Sequence, residues 1–494
     1  MAIFYAILST MSKISALVLA TVATMAIGCS SVTSYNEQIF PAYEAYRDGD
    51  VSAAADISSA IYEEYYDDNS RVIFALENGT MLRDAGYYQQ AFDVLEQAEA
   101  TLKIGYDQRS ALNAGALTEG AASVLVNQKT LAYTGTIYDR VLLNTYKALA
   151  MLELNQIDNA LVEARRIDQA QQQAEKLFRE EYDAVEAEAG NKGYAVDLDK
   201  MYSNEDFVKQ NRGLFKDTGV DDFQNPFATF VIGMLRRIAP NNGEDPTFDF
   251  KWLKDRLPSN VYVKQELEAI MNGEDVDGSV YVIFENGRGP SLAENKITIP
   301  TGVFGYNSGR DGLRFFNEEY LSLPRFVPGR KAANALKIIA GPANRSTTMM
   351  VADMNRIALH EFNARYPGIL MREMVSAAIK GIISGVGQAV AAEMMSSDDD
   401  DIAILGLVLG IGSVVAKSAI AQADDRAWKS IACNYQIARF KRGESNTLKL
   451  SLVGGNADAT VEMPDAAAVV VIVRSINSSH INVRSYGFGT PTIN

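Results

Sequence analysis

The stretch Val141 to Gln171 constrains the fold more than any other part of the chain. Leu142, Tyr146, Leu149 and Leu152 recur at helical spacing and so share one face of a helix. Asn155 stands where the chain must reverse, and asparagine tolerates the left-handed backbone that ends helices. Asp158 then offers an N-cap for a second helix that turns Ala160, Ala164 and Ile167 inward. Small residues at those places let two helix backbones approach closely. Such a hairpin leaves an apolar face uncovered until another packs on it, so a stack of helix pairs is expected.

The pattern recurs upstream. Gly49 to Ala54 and Gly86 to Phe92 both read as a turn followed by the start of a second helix, and 37 residues separate the two glycines. A tetratricopeptide repeat has a period of about 34 residues. In the better copy Gly79 takes the small position of the first helix, Gly86 the turn, and Ala91 and Ala98 the small positions of the second. The corresponding places in the third copy are Ala148, Asn155, Ala160 and Ala164. Gly105 to Arg140 interrupts the period, as an insertion at a binding face or a surface excursion. After the third copy the helix continues to Gly190 with mixed charges, among which Glu163 and Arg166 can pair. Asn191 to Asp222 reads as irregular, and Pro226 opens an apolar helix over Phe227 to Ile238.

β patterning begins near Asp277. Ser279 to Glu285, Lys296 to Ile299, Val303-Phe304 and Leu336 to Ile339 are strand candidates punctuated by glycine and proline. From Tyr435 on the chain alternates short β runs with turns, and the unbroken apolar run Ala467 to Val473 predicts a central strand. Between these blocks a helix is expected from Met349 to about Ser397, with Pro367 marking a new start. Met374 to Ala423 reads as a helical hairpin whose arms carry the small-residue ridges Gly381/Gly385 and Gly406/Gly410. Its apolar run Ile402 to Ala416 is short for a bilayer, which favours a hairpin buried in protein or between protomers. Asp398 to Asp401 is expected to cap the second arm; it lacks the spaced ligands of a Ca²⁺ loop.

The N-terminal residues carry an address. The apolar run Ile14 to Ile27 has the length of a secretory signal core, with Lys13 its only charge and Met11 an alternative start. It ends in Ala26-Ile27-Gly28-Cys29, which resembles the lipobox of bacterial lipoproteins. That resemblance implies acylation of Cys29 and, with Ser30 following, the periplasmic side of the outer membrane. An uncleaved membrane anchor, the inner membrane or the cell surface are the alternatives. Losing Lys13 takes the formal charge from −16 to −17, which disfavours nucleic acid as a partner. Cys433 would then have no disulfide partner and reads as a small buried hydrophobe.

The chain as a whole resembles an uncharacterised family of bacterial tetratricopeptide-repeat lipoproteins. The resemblance rests on Cys29, on Tyr138 to Asn144 running into Ala160 to Arg166, on Asn225-Pro226-Phe227, on Val280 to Gly287, and on the hairpin followed by Arg426-Ala427-Trp428. It implies a helical-repeat lipoprotein and supplies no catalytic residues. Some members are thought to act beside lipoproteins that regulate peptidoglycan synthases, a pointer to an envelope partner.

The expected fold is therefore α+β. A signal peptide (1–28) and lipidated tether (29–36) precede a helical-repeat domain (37–272), a β-rich segment (273–345), the hairpin (346–425) and a second β segment (426–494). No metal-binding or nucleophile motif stands out: His360 has Glu361 beside it rather than one turn away, and Gly287-Arg288-Gly289-Pro290-Ser291 lacks a nucleophile elbow. With no catalytic, cofactor or metal residue to nominate, the expected function is a scaffold whose helical groove holds a protein or peptide in the periplasm. An oligomeric assembly or membrane-remodelling component using the glycine-ridged hairpin is the alternative. A cell-wall hydrolase ranks last.

Overall fold

The computed structural model describes residues 34–115, 132–191, 194–196, 201–203, 205–239, 243–298, 304–307, 313–315, 320–341, 344–384 and 423–490. Cys29, Gly385, Gly406, Gly410 and most of the expected hairpin lie outside them, as do the four aspartates.

Six helices come first among the described residues: α1 (Tyr35–Asp48), α2 (Val51–Glu64), α3 (Arg71–Ala85), α4 (Tyr88–Gly115), α5 (Ile137–Glu153) and α6 (Ile157–Asn191). Each packs on the next in sequence. Within each pair the turn is the same device. Gly49, Gly86 and Asn155 have φ of 94°, 94° and 59°. At all three the turn amide donates three residues back and the next amide five back, which satisfies the last carbonyls of the helix. Helix α6 starts at Ile157, so Asp158 lies in its first turn rather than capping it. Tyr35 and Asn36, expected in a tether, belong to α1, whose capping box joins Ser34 and Glu37.

The short strand β1 (Tyr194–Val196) and helix α7 (Glu205–Gln210) occupy the stretch read as irregular, followed by a 3-10 turn over Arg212–Phe215. Helices α8 (Pro226–Ile238), α9 (Thr247–Arg256) and α10 (Val261–Met271) then lead into β2 (Ser279–Asn286) and β3 (Ser291–Thr298). Strands β4 (Phe304–Asn307), β5 (Leu313–Phe315), β6 (Tyr320–Val327), β7 (Ala335–Ile339), β8 (Arg345–Thr347) and β9 (Met349–Asp353) precede helix α11 (Met354–Ser384). The C-terminal strands are β10 (Asn434–Lys441), β11 (Thr447–Val453), β12 (Asp458–Glu462), β13 (Ala468–Ser475) and β14 (Asn482–Phe488).

Two corrections fall in this region. Met349–Asp353, expected as helix, is a strand because β10 takes it as a partner, and that pairing outweighs local propensity. Pro367 sits inside a continuous helix. Phe362, Tyr366 and Leu370 on either side of it are buried in one core cluster, which offsets a proline cost of about 3 kcal/mol.

The main sheet has the order β14–β13–β2–β10–β9, with β13 parallel to β2 and the other pairs antiparallel. The expected central strand is thus interior. A second sheet, β12–β11–β7–β8, shares its core. The ribbon β3–β6 and the small sheet β1–β4–β5 complete the β part, and β6 packs on α11.

Strand alternation sorts the main sheet into two faces. Tyr281 and Glu285 of β2, Tyr435 and Arg439 of β10, Arg474 of β13 and Tyr486 of β14 share the face toward the helices. Their partners are Glu266 of α10, Arg83 and Asp84 of α3, Tyr146 of α5 and Tyr88 of α4. Phe227 of α8 stacks on Tyr435 at 3.9 Å. Helices α3 and α5 are consequently buried on every side, between their neighbours and the sheet. The main sheet and the helices packed on it form one continuous core, and α7, the ribbon and part of α11 a second.

Candidate functional site

Two features qualify, and they touch. The first is the helical face itself, which is taken up by the chain. Residues 423–433 run without regular structure, buried almost throughout, along α1 and α3. The Asp425 carboxylate accepts from the amides of Tyr35 and Asn36 at 3.2 and 3.0 Å, at the start of α1. The Tyr35 hydroxyl donates to the Glu77 carboxylate (2.7 Å) and reaches the Ala427 carbonyl (3.1 Å). Glu77 in turn accepts from the amides of Lys429 and Ser430 at 2.9 and 3.1 Å. Trp428 is fully buried, its indole N–H donating to Thr80 at 2.9 Å. The Glu77 carboxylate of α3 thus holds two consecutive amides of this segment, those of Lys429 and Ser430.

The second feature is a cavity of about 110 Å³ where this segment meets the rest of the molecule. Its walls are the start of α5 and the residues before it (Tyr133, Thr136, Tyr138), the ribbon (Leu292, Pro324, Phe326), α11 (Glu361, Phe362, Arg365, Ile369, Arg372) and Asp424, Arg426 and Ala427. Its polar groups are arranged in pairs. Glu361, fully buried, accepts from the amides of Ile137 (2.7 Å) and Tyr138 (3.2 Å) at the start of α5, and from Arg365 Nε at 2.7 Å. Burial pushes its carboxyl up, against Arg365 and the two amides. Asp424 takes Nε and one terminal nitrogen of Arg426 at 2.7 and 2.8 Å, while that guanidinium lies 5.3 Å from the Tyr133 ring centroid. Asp139 holds the opposite side of the α5 terminus, accepting from Tyr133 Oη (2.6 Å) and the Thr136 amide (2.7 Å); burial raises its pKa.

The glycines of Gly287-Arg288-Gly289 are explained nearby. Arg288 and Arg330 pair through their backbones, and a Cβ on Gly287 would lie 2.0 Å from the Arg330 carbonyl oxygen. The loop is a close crossing of two stretches of backbone, 287–289 and 329–331.

The residues singled out from sequence have these places. Ala91, Ala98, Ala148, Ala160 and Ala164 are buried between helices. A Cβ on Gly79 would meet the Leu95 side chain at 2.6 Å, so α3 and α4 approach closely there. Gly86 and Asn155 form the turns, and Gly381 lies in α11. None lines the cavity. Cys433 is buried, its thiol pushed up to about 11 by burial, with Asn355 donating to it at 3.4 Å. His360 packs on Phe223, and burial lowers its pKa. No group of three or more His, Cys, Asp or Glu side chains suited to a metal occurs among the described residues, nor does a helix long and apolar enough to cross a membrane.

Sequence reasoning gave no role to Glu77, Glu361 or Asp424, because isolated charges carry no periodic signal. Arg426-Ala427-Trp428 and Tyr138 pointed there through the family resemblance alone. No family model, curated protein or solved structure matches the chain, so the site is read from its own chemistry.

Proposed function

We propose that this chain is a non-catalytic binding scaffold built on tetratricopeptide-like helix pairs. Acylated Cys29 would tether it to the periplasmic side of the outer membrane, in a family of envelope lipoproteins. The repeated turn at Gly49, Gly86 and Asn155 supports the repeat reading. The inner helical face carries the chain's own 423–433 segment, so the partner docks beside that segment rather than in place of it. One observation carries this: the seam between α5, α11, the ribbon and Ala427 leaves a cavity walled by aromatic rings, at the end of a backbone the helices already clasp. The carboxylates lining it are committed to amides and arginines, which suits holding more than proton transfer.

A photo-cross-linking residue at Ser291, in the full chain within its envelope, should capture a discrete protein partner. The adduct should be lost when Phe326→Trp fills the cavity. No specific adduct, or one indifferent to Phe326→Trp, overturns the reading. Fatty-acid labelling abolished by Cys29→Ala tests the tether.

A further inference from the structure

We infer that an open groove between α10, β8 and the end of β10 binds a neutral saccharide. The groove shares no residue with the seam cavity, so this inference stands apart from the docking reading. It exists because β10 outruns one of its neighbours. Pairing with β9 covers Asn434–Ile437 only, whereas β2 follows β10 to Lys441. Beyond Ile437 the uncovered side of β10 is approached by α10, and the Asn344 amide reaches the Lys441 carbonyl at 3.1 Å.

The space left is about 480 Å³, inside the range of about 300–1,000 Å³ usual for small-molecule sites. A cavity of about 150 Å³ holds one benzene ring, so two sugar rings fit. Most such sites are apolar with a few polar groups; here the walls are polar. Gln265 and Glu268 of α10, Asn272 at its C-terminal end and Ser346 of β8 line the groove. None of these side chains has a hydrogen bond or ion pair with another described residue. Carboxamides and hydroxyls both donate and accept, and a carboxylate accepts more than one O–H, which is the complement of a set of sugar hydroxyls. Ala269, Phe440 and Tyr262, all buried, also line it and offer a dry surface to the C–H face of a ring.

Charge selects a neutral ligand. Arg237, Arg439 and Lys441 stand against Glu266, Glu268 and Glu274, so the count is even. Glu266 accepts from Nε of Arg237 at 3.0 Å and of Arg439 at 2.7 Å. Lys441 Nζ is held by the carbonyls of Asp275 and Asp277 at 3.2 and 2.8 Å. A charged ligand would leave a surplus of one sign; a neutral one leaves none. A peptide is neutral too, but the β8 edge it would extend is taken, since the Tyr262 hydroxyl donates to the Thr347 carbonyl at 2.7 Å. Its side chains would also meet carboxamides and carboxylates along the walls.

Saturation-transfer NMR on the full chain tests this, in a polyoxyethylene detergent that carries no sugar. The neutral probes are maltose, cellobiose, lactose and N,N′-diacetylchitobiose. The controls are deacetylated chitobiose as a cation, the hyaluronan disaccharide as an anion and N-acetyl-trialanine amide as a peptide. At least one neutral sugar should bind, with every control at least fivefold weaker. Ser346→Trp, which fills the groove, should abolish the transfer. Gln265→Ala and Asn272→Ala should each weaken binding at least threefold while leaving the thermal midpoint unchanged, since both residues are exposed. Should Ser346→Trp fail to fold, these two variants still decide. Failure of all the neutral sugars, a control that binds equally well, or binding indifferent to these substitutions overturns the inference.

Discussion

Arg83 is almost fully buried between two carboxylates, 2.7 Å from Glu153 and 2.9 Å from Glu285, with its cation 5.1 Å from the Tyr146 ring centroid. One guanidinium cannot fully neutralise two buried acids. Burial, with the neighbouring charge of Glu285 adding to it, pushes the Glu153 carboxyl up to about 7 despite Arg83. A carboxyl raised above its ordinary 4.5 contributes stability that is fully present below that value and lost as pH rises through about 7. Urea unfolding should therefore show wild-type stability falling between those pH values by more than Glu153→Gln does. At pH 7 Glu153→Gln should cost little, whereas Arg83→Met strands two acids and should cost about 3–5 kcal/mol. Equal losses from the two substitutions at pH 7 would contradict a Glu153 carboxyl raised to about 7. Lys147, fully buried against Glu96, Glu99 and Glu163, differs in that Arg166 pairs with the same three carboxylates.

At the level of elements, helix pairing depends on a few backbone positions. A methyl at Gly79 would press on Leu95, itself fully buried, so Gly79→Ala should destabilise by about 1–3 kcal/mol through overpacking. Combining it with Leu95→Ala should recover part of the loss; a strictly additive double variant would place the cause elsewhere. Asn155 is the only non-glycine among the described residues with positive φ. Asn155→Gly should leave the thermal midpoint nearly unchanged, while Asn155→Val should cost about 1–2 kcal/mol or more, since β-branching opposes left-handed backbone. These positions were legible because each has a local signature: small residues at helical spacing, or a turn former between two helices. Strand β9 and the uninterrupted α11 were not legible, because their conformations follow from β10 and from the ribbon against which they pack.

For the whole molecule, helices and sheet share one apolar core and a charged seam of Arg83, Arg474, Glu285 and Asp84. They should lose structure together. Fluorescence of Trp428, buried at that seam, and the far-UV helical signal should report the same midpoint, measured in a Trp252→Phe background. Separate transitions would show that the helical and β parts are independent units. The cavity belongs to this scale as well, since its walls come from five separate stretches of the chain.

By itself the sequence determined the helix pairs, their turns, most strands and the α+β order, because periodicity and turn chemistry act over a few residues. Only the tertiary structure decided that 423–433 lies along α1 and α3, which charges are buried as partners, and where a cavity remains. Those outcomes depend on groups more than 200 residues apart, such as Arg83 and Glu285 or Ile137 and Glu361, and no local pattern encodes such a meeting.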